Sequence, residues 1–169
     1  GSYVGGLFGE LWSYDYDNHN GSSITNSFST GQVTGDYSVG GLAGWAMNTT
    51  FTNSFYNSLV SATDEYSGGF VGYGESIDVI NSYAAGGVTS TGYYNGGLVG
   101  WLDGDNYIAN SFAANTVEGY DSDYIGALVG YSNGNIAWQN DNYDRGLSGL
   151  NSCLGDSSDF DDCHAVNTM

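Results

Sequence analysis

Carboxylates spaced two residues apart recur along this sequence: Asp15 and Asp17, Asp103 and Asp105, Asp121 and Asp123, and a run from Asp156 to Asp162. Such pairs offer several oxygens at once, the chemistry that suits Ca²⁺. None completes an EF-hand loop. Counting from Asp15, Asn20 stands where that loop needs glycine, and Asn26 where it needs a bidentate Glu. Solvated charge is the expected role of these loops, with Asp15, Asp17, Asp103 and Asp105 as weak calcium candidates and no other cofactor. A Ser–His–Asp arrangement needs a histidine, and His19 and His164 both fall in loop-like or tail stretches. A lyase of acidic sugars needs a basic proton acceptor, whereas Arg145 is the sole Lys or Arg. Carboxylates for a glycosidase exist, but no pair is singled out. The expectation is no catalytic residue and no enzyme.

Charge narrows the partners. Nineteen acidic residues against one basic residue give the 169-residue chain a formal net charge of −18. That field repels nucleic acid and anionic membrane surfaces. No apolar run reaches the ~18 residues of a membrane span. Cys153 and Cys163 are the only two cysteines, in a chain that is free of lysine and rich in Asn, Ser, Gly and Tyr. An even count in such a chain points to one disulfide and an extracellular or cell-surface location. Neither cysteine has partners at zinc-site spacing.

The elements that must carry these residues are set by a repeat. GGLFG at 5–9 returns as GGLAG at 40–44, GGFVG at 68–72, GGLVG at 96–100 and GALVG at 126–130, so successive copies begin 35, 28, 28 and 30 residues apart. A second block follows each of the first four: ITNSFSTGQVTG at 24–35, FTNSFYNSLVSA at 51–62, VINSYAAGGVTS at 79–90 and IANSFAANTVEG at 108–119. A degenerate fifth copy spans 136–149. Alternation puts Ile24, Asn26 and Phe28, with their equivalents, on one face and Ser27, Ser54, Ser82 and Ser111 on the other. A corner is expected near Gly31, Ser58, Gly86 and Asn115, then a short strand carrying Val33, Val60, Val88 and Val117. The glycine block reads as a third strand, and no stretch carries a capped helical stripe.

Three short strands per ~28 residues predict an all-β fold, a β-solenoid of about five rungs over 1–149, followed by a disulfide-bearing tail or cap over 150–169. In such a stack each residue sits above its own copy. Asn26, Asn53, Asn81 and Asn110 are then expected to form an amide ladder. The column of Phe28, Phe55, Tyr83 and Phe112 is expected to fill the interior with the valines.

These blocks, GG-[LF]-[AVF]-G followed by [IVF]-x-NS-[FY] and a valine, resemble the GLUG repeat of bacterial and archaeal secreted and surface proteins. The resemblance covers roughly residues 3–149. It implies a β-helical stalk or passenger segment, as in surface adhesins and the non-catalytic regions of some immunoglobulin-cleaving peptidases, and it implies no catalytic set. Ala127 in place of the second glycine, and the loss of NS-[FY] in the fifth copy, mark that copy as a capping one.

One apolar column is left over. Trp45, Tyr73, Trp101 and Tyr131 follow the glycine block, with Glu10 in the first slot. Leu42, Phe70, Leu98 and Leu128 fall on the opposite face, together with a rough column of Tyr3, Tyr66, Tyr94 and Tyr124. A solenoid wall buries one face, so a loop, the tail, a partner or a ligand must cover the other. The leading functional expectation is a structural stalk or fibre-forming segment whose partners are other copies, end to end, or neighbouring segments of a larger protein. The alternative is a carbohydrate-binding module that uses the aromatic strip or a loop at 12–21. Ice binding ranks below both, because the columns of Thr25 and Thr52, and of Thr34 and Thr89, are broken.

Overall fold

Alternating β-branched, aromatic and small residues build short strands that pair only with their own copies one turn away. The computed structural model describes residues 1–14, 21–119, 124–156 and 163–167. Among these, every strand pairing is parallel, and the strands form three sheets. The chain is an all-β solenoid of about four turns, with rungs of ~28 residues. The first sheet stacks Tyr3–Gly5, Ser38–Gly40, Ser67–Gly68, Tyr94–Gly96 and Tyr124–Gly126. The long strands of the second are Ala43–Thr52 and Val71–Ile80, and those of the third are Phe55–Ala62, Tyr83–Ser90 and Phe112–Gly119. Val33, Val60, Val88 and Val117 stand in register and are buried.

The corners lie elsewhere than the alternation predicts. The glycine block is a corner and not a strand: strands end at Gly40, Gly68, Gly96 and Gly126 and resume at Ala43, Val71, Val99 and Val129. Leu42, Phe70, Leu98 and Leu128 sit in that corner, fully buried. The last glycine of the block lets the first and second sheets touch backbone to backbone. A Cβ on Gly72 or Gly100 would lie 2.6 Å from the Val39 nitrogen or 2.7 Å from that of Ser67.

The next corner falls at Asn-Ser. Asn26, Asn53, Asn81 and Asn110 adopt left-handed backbone, with φ of 52°, 51°, 50° and 51°, a conformation that asparagine tolerates better than most residues. Asn140 repeats it at φ 55°, so the fifth copy keeps the corner although its motif reads Asn-Asp-Asn. The amide ladder has two links here, Asn81 Nδ2 to Asn53 Oδ1 at 3.4 Å and Asn140 Nδ2 to Asn110 Oδ1 at 3.2 Å. Beyond the corner the strands continue unbroken from Phe55 to Ala62 and from Tyr83 to Ser90, past the expected bend at Ser58, although Gly86 takes φ 118°. In the first turn the strand does break between Ser29 and Val33, around Gly31.

The left-handed residue inverts the alternation, so serine points inward and the ring outward. The Phe/Tyr column is therefore external: Phe28 is 57% and Tyr83 38% exposed, with Phe55 and Phe112 half-buried. Phe28 stacks on Phe55 at 5.0 Å and Phe55 on Tyr83 at 4.9 Å, the planes within 5° and 2° of parallel. The inward places go to Tyr56, Ala84, Ala113 and Tyr143, in register with one another.

The inward serines form a hydrogen-bonded ladder. The Ser27 N–H donates to Ser54 Oγ (3.2 Å), that of Ser54 to Ser82 Oγ (3.1 Å), that of Ser82 to Ser111 Oγ (3.3 Å) and that of Ser111 to Asp141 Oδ1 (2.8 Å). Each corner N–H thus finds a buried acceptor, which explains why a polar residue recurs inside. Asp141, fully buried, ends the ladder and also accepts from the Gln139 N–H at 3.1 Å.

Two features of the C-terminal part differ from expectation. A one-turn helix, Arg145–Ser148, follows the last full strand. Local chemistry makes it: the Asp144 carboxylate accepts from the Gly146 and Leu147 N–H groups, and Gly149 closes it at φ 69°. The tail is also part of the stack. The N–H groups of Ala127, Leu128 and Val129 donate to the carbonyls of Ser152, Cys153 and Cys153, the pattern seen one turn earlier at Gly97, Leu98 and Val99. Cys163–Val166 then pairs with Asp141–Asp144. Cys153 holds the place of the corner leucine and Cys163 that of the inward serine, and their disulfide joins the two walls with Cα atoms 6.5 Å apart. The tail is a shortened extra turn, cross-braced by the disulfide.

Candidate functional site

Aromatic side chains dominate one outer edge, where the first and second sheets meet. Glu10, Trp45, Tyr73, Trp101 and Tyr131 stand in register in the second sheet. Tyr66, just ahead of the Ser67–Gly68 strand, stacks with Tyr94 and Tyr124 of the first sheet, 5.4 and 5.2 Å apart along the column. The tyrosine column lies on the same side as the tryptophan column, because the glycine corner folds the two strands back on each other and turns both sets of rings outward. It does not share the face of Leu42 and Phe70, which are interior.

The two columns interlock. Tyr94 meets Trp101 edge-on at 4.6 Å, Tyr66 meets Trp101 at 5.3 Å, and Tyr124 meets Tyr131 at 4.9 Å. Each contact of this kind contributes about 0.5–1.5 kcal/mol beyond area burial. The left-over apolar column is thus covered by the molecule's own tyrosines, a solution that alternation within a single strand cannot reveal. Trp45, Tyr73, Trp101 and Tyr131 are half-buried, and the indole N–H groups of Trp45 and Trp101 are buried without a hydrogen-bond acceptor. A sugar-stacking platform needs an open ring face, and most of these faces are taken by other rings.

Burial raises the pKa of the Tyr66 and Tyr73 hydroxyls on this edge. Tyr73 is pushed from 10.0 to about 12, first by burial and then by the charges of Asp103 and Glu75. Burial likewise raises Tyr66 and the interior Tyr56, whose hydroxyl donates to the carbonyls of Gly31 and Leu59 at 2.9 Å. A raised phenol pKa stabilises the folded state below the unfolded value of 10, and that contribution is lost as pH climbs toward 12. Absorbance at 295 nm followed beside circular dichroism is expected to show part of the tyrosines ionising only as the fold is lost. Ionisation of all of them near pH 10 in a still-folded protein would contradict this.

The stack is interrupted at one place. Ser38, not tyrosine, pairs with Tyr3 in the first sheet, and it is fully buried with its hydroxyl donating to the Gly44 carbonyl at 2.7 Å. Beside it lies a cavity of about 170 Å³, lined by Tyr3, Tyr37, Trp45, Tyr66, Tyr73 and Glu75.

The acidic candidates are dispersed. Asp103 accepts from the Gly104 N–H (2.8 Å) and the Tyr73 hydroxyl (3.4 Å), whereas Asp105 accepts from Asn135 Nδ2 (2.8 Å). Asp15, Asp17, His19, Asp121, Asp123, the core of the 12–21 loop and most of the Asp156–Asp162 run lie outside the described residues. Among the described residues, no three His, Cys, Asp or Glu side chains gather at metal-binding distance. His164 is exposed on the last strand.

No protein-family model matches the chain, and no curated protein matches it. Among solved structures it is similar to that of a putative immunoglobulin A1 protease from Bacteroides ovatus, with a TM-score of 0.82 and 26% identity over 98% of this chain. The match covers 56% of that chain, so the present sequence spans a little over half its length.

Proposed function

We propose that this chain is a non-catalytic extracellular structural module: a stalk or fibre-forming segment, of the kind found in GLUG-type adhesins, that extends by stacking turn on turn. The carrying observation is the use made of the repeated residues. The asparagine, serine, valine and phenylalanine columns each engage their own copies one turn away, and together they build a rod. The disulfide suits an oxidising, extracellular setting. Likeness to part of a longer bacterial chain suits a segment that holds other parts at a distance.

The first turn supplies the joining surface. The N–H groups of Phe55, Tyr83 and Phe112 donate to the preceding turn, at Ser27, Ser54 and Ser82. Phe28 occupies the same place in the first described turn, so its N–H points off the edge toward another copy or a preceding segment. Light scattering and electron microscopy at high salt, where the −18 charge is screened, are expected to find rods longer than one chain. Phe28→Pro, which removes that donor, is expected to shorten them. A strict monomer at millimolar concentration and high salt overturns end-to-end stacking.

A further inference from the structure

The interruption at Ser38 leaves more than a gap. Five rings surround the cavity in an unbroken circuit: Tyr3 to Tyr37 at 6.3 Å, Tyr37 to Tyr66 at 5.0 Å, Tyr66 to Tyr73 at 5.5 Å, Tyr73 to Trp45 at 6.4 Å and Trp45 to Tyr3 at 5.7 Å. Interplanar angles of 82°, 81°, 63°, 70° and 35° turn the rings across one another, so they form walls instead of a flat platform. Elsewhere along the edge a tyrosine from the neighbouring turn fills this position. Here the residue in register is Ser38, with its hydroxyl turned to Gly44, and the space stays open to solvent.

Charge gives the cage its sign. Glu75 is the sixth lining residue, and Asp103 lies behind the Tyr73 hydroxyl at 3.4 Å. The chain's single Lys or Arg, Arg145, is engaged with Asn151 in the C-terminal helix. Aromatic faces carry negative quadrupole potential, and a carboxylate beside them adds a full charge. At about 170 Å³ the space is small beside the ~300–1,000 Å³ of ordinary ligand pockets, which suits a headgroup better than a sugar ring with its hydroxyls. The apolar, weakly hydrated surface of an alkylated ammonium loses little on leaving water and gains from every ring it touches.

We propose that this cage binds an organic cation of the quaternary ammonium class, a trimethylammonium group seated among Tyr3, Tyr37, Trp45, Tyr66 and Tyr73 and paired with Glu75. The group can arrive on a small molecule or on a methylated lysine side chain, since the cage contacts the headgroup alone. The site is independent of end-to-end stacking, because it opens on the side of the rod.

Isothermal titration of the whole chain with choline, with trimethyllysine amide and with 3,3-dimethyl-1-butanol, the uncharged carbon analogue of choline, tests this. At least one cation is expected to bind about 10-fold or more tightly than the neutral analogue, the range that a desolvated cation–π contact supports. The tighter of the two cations names the source. Glu75→Gln is expected to weaken cation binding several-fold and to leave the neutral analogue unchanged. Tyr37→Leu, at a position outside the strands, is expected to abolish binding without loss of fold, and Tyr131→Leu, in the same strip but touching no wall of the cage, to leave it intact. Equal binding of choline and its neutral analogue, no binding of either cation, or indifference to both Glu75→Gln and Tyr37→Leu overturns the proposal. Light scattering on the same samples keeps this result separate from self-association.

Discussion

Phe70→Ala is expected to destabilise the protein by about 3–5 kcal/mol, the cost of emptying a large, fully buried aromatic site. Phe70 stands at the glycine corner of a central turn and meets Phe51 edge-on at 5.3 Å. Its backbone N–H donates to the Leu98 carbonyl, and its own carbonyl accepts from Leu42. Neither neighbour can close the void, because the backbone around it is fixed by the strands on both sides. Phe70→Leu is expected to cost only about 1 kcal/mol, since leucine fills this column at 42, 98 and 128 and a volume-similar swap repacks. Urea denaturation of the three proteins checks both values, and a loss below about 1 kcal/mol for the alanine variant would contradict the packing described.

Removing the disulfide is expected to produce a comparable loss with a different distribution. Cys153 and Cys163 enclose a short loop, and a crosslink of that kind contributes about 2–4 kcal/mol. In a stack where each turn touches only its neighbours, stability is close to a sum of turns and their interfaces. The paired Cys153→Ser, Cys163→Ser variant is therefore expected to loosen the shortened last turn first. Hydrogen exchange should speed up at Cys163–Val166 and at the N–H groups of Ala127, Leu128 and Val129, with Ala43–Thr52 and Val71–Ile80 unchanged. The N–H groups of 127–129 are the informative ones, because they bond to Ser152 and Cys153. Unchanged exchange there would mean that the tail holds without its crosslink. A uniform increase across all turns would mean that the whole chain unfolds as one unit.

Much of this fold is legible in the sequence, and what is not has a local cause. The valine column and the three-strand turn follow from spacing alone, because stacked turns demand the same residue at the same place. The corner at Asn53 is hidden because a left-handed residue leaves no mark on a pattern of alternation; it shows only in the choice of asparagine itself. Once that residue is placed, the inversion that turns Phe55 outward and Ser54 inward follows. The glycine block misleads in a similar way, since Leu98 between glycines reads as a strand residue although it is the inside of a bend. For the aromatic edge the signal is present: the tyrosine column has members at 3, 66, 94 and 124 and none in the second turn. That missing member is the cage. Its walls come from three turns, so no single repeat contains it. The shortened extra turn is harder to read, because Ser152-Cys153-Leu154-Gly155 shares only its final glycine and its general shape with GALVG.

The register of identical columns also constrains how such a molecule can change in evolution. Because turn-to-turn contacts repeat at intervals close to 28 residues, duplication or deletion of one such unit leaves every ladder matched to a new neighbour. A change of another length keeps the columns matched only where a loop between strands absorbs it, as in the turns of 35 and 30 residues. Gene rearrangement can therefore lengthen or shorten the rod in quanta of about 4.8 Å, the spacing of paired strands. A cage of the Ser38 kind, by contrast, rests on a few side chains that depart from the columns, Tyr37, Ser38 and Glu75, so recognition can be written onto a chosen rung without disturbing the ruler that carries it.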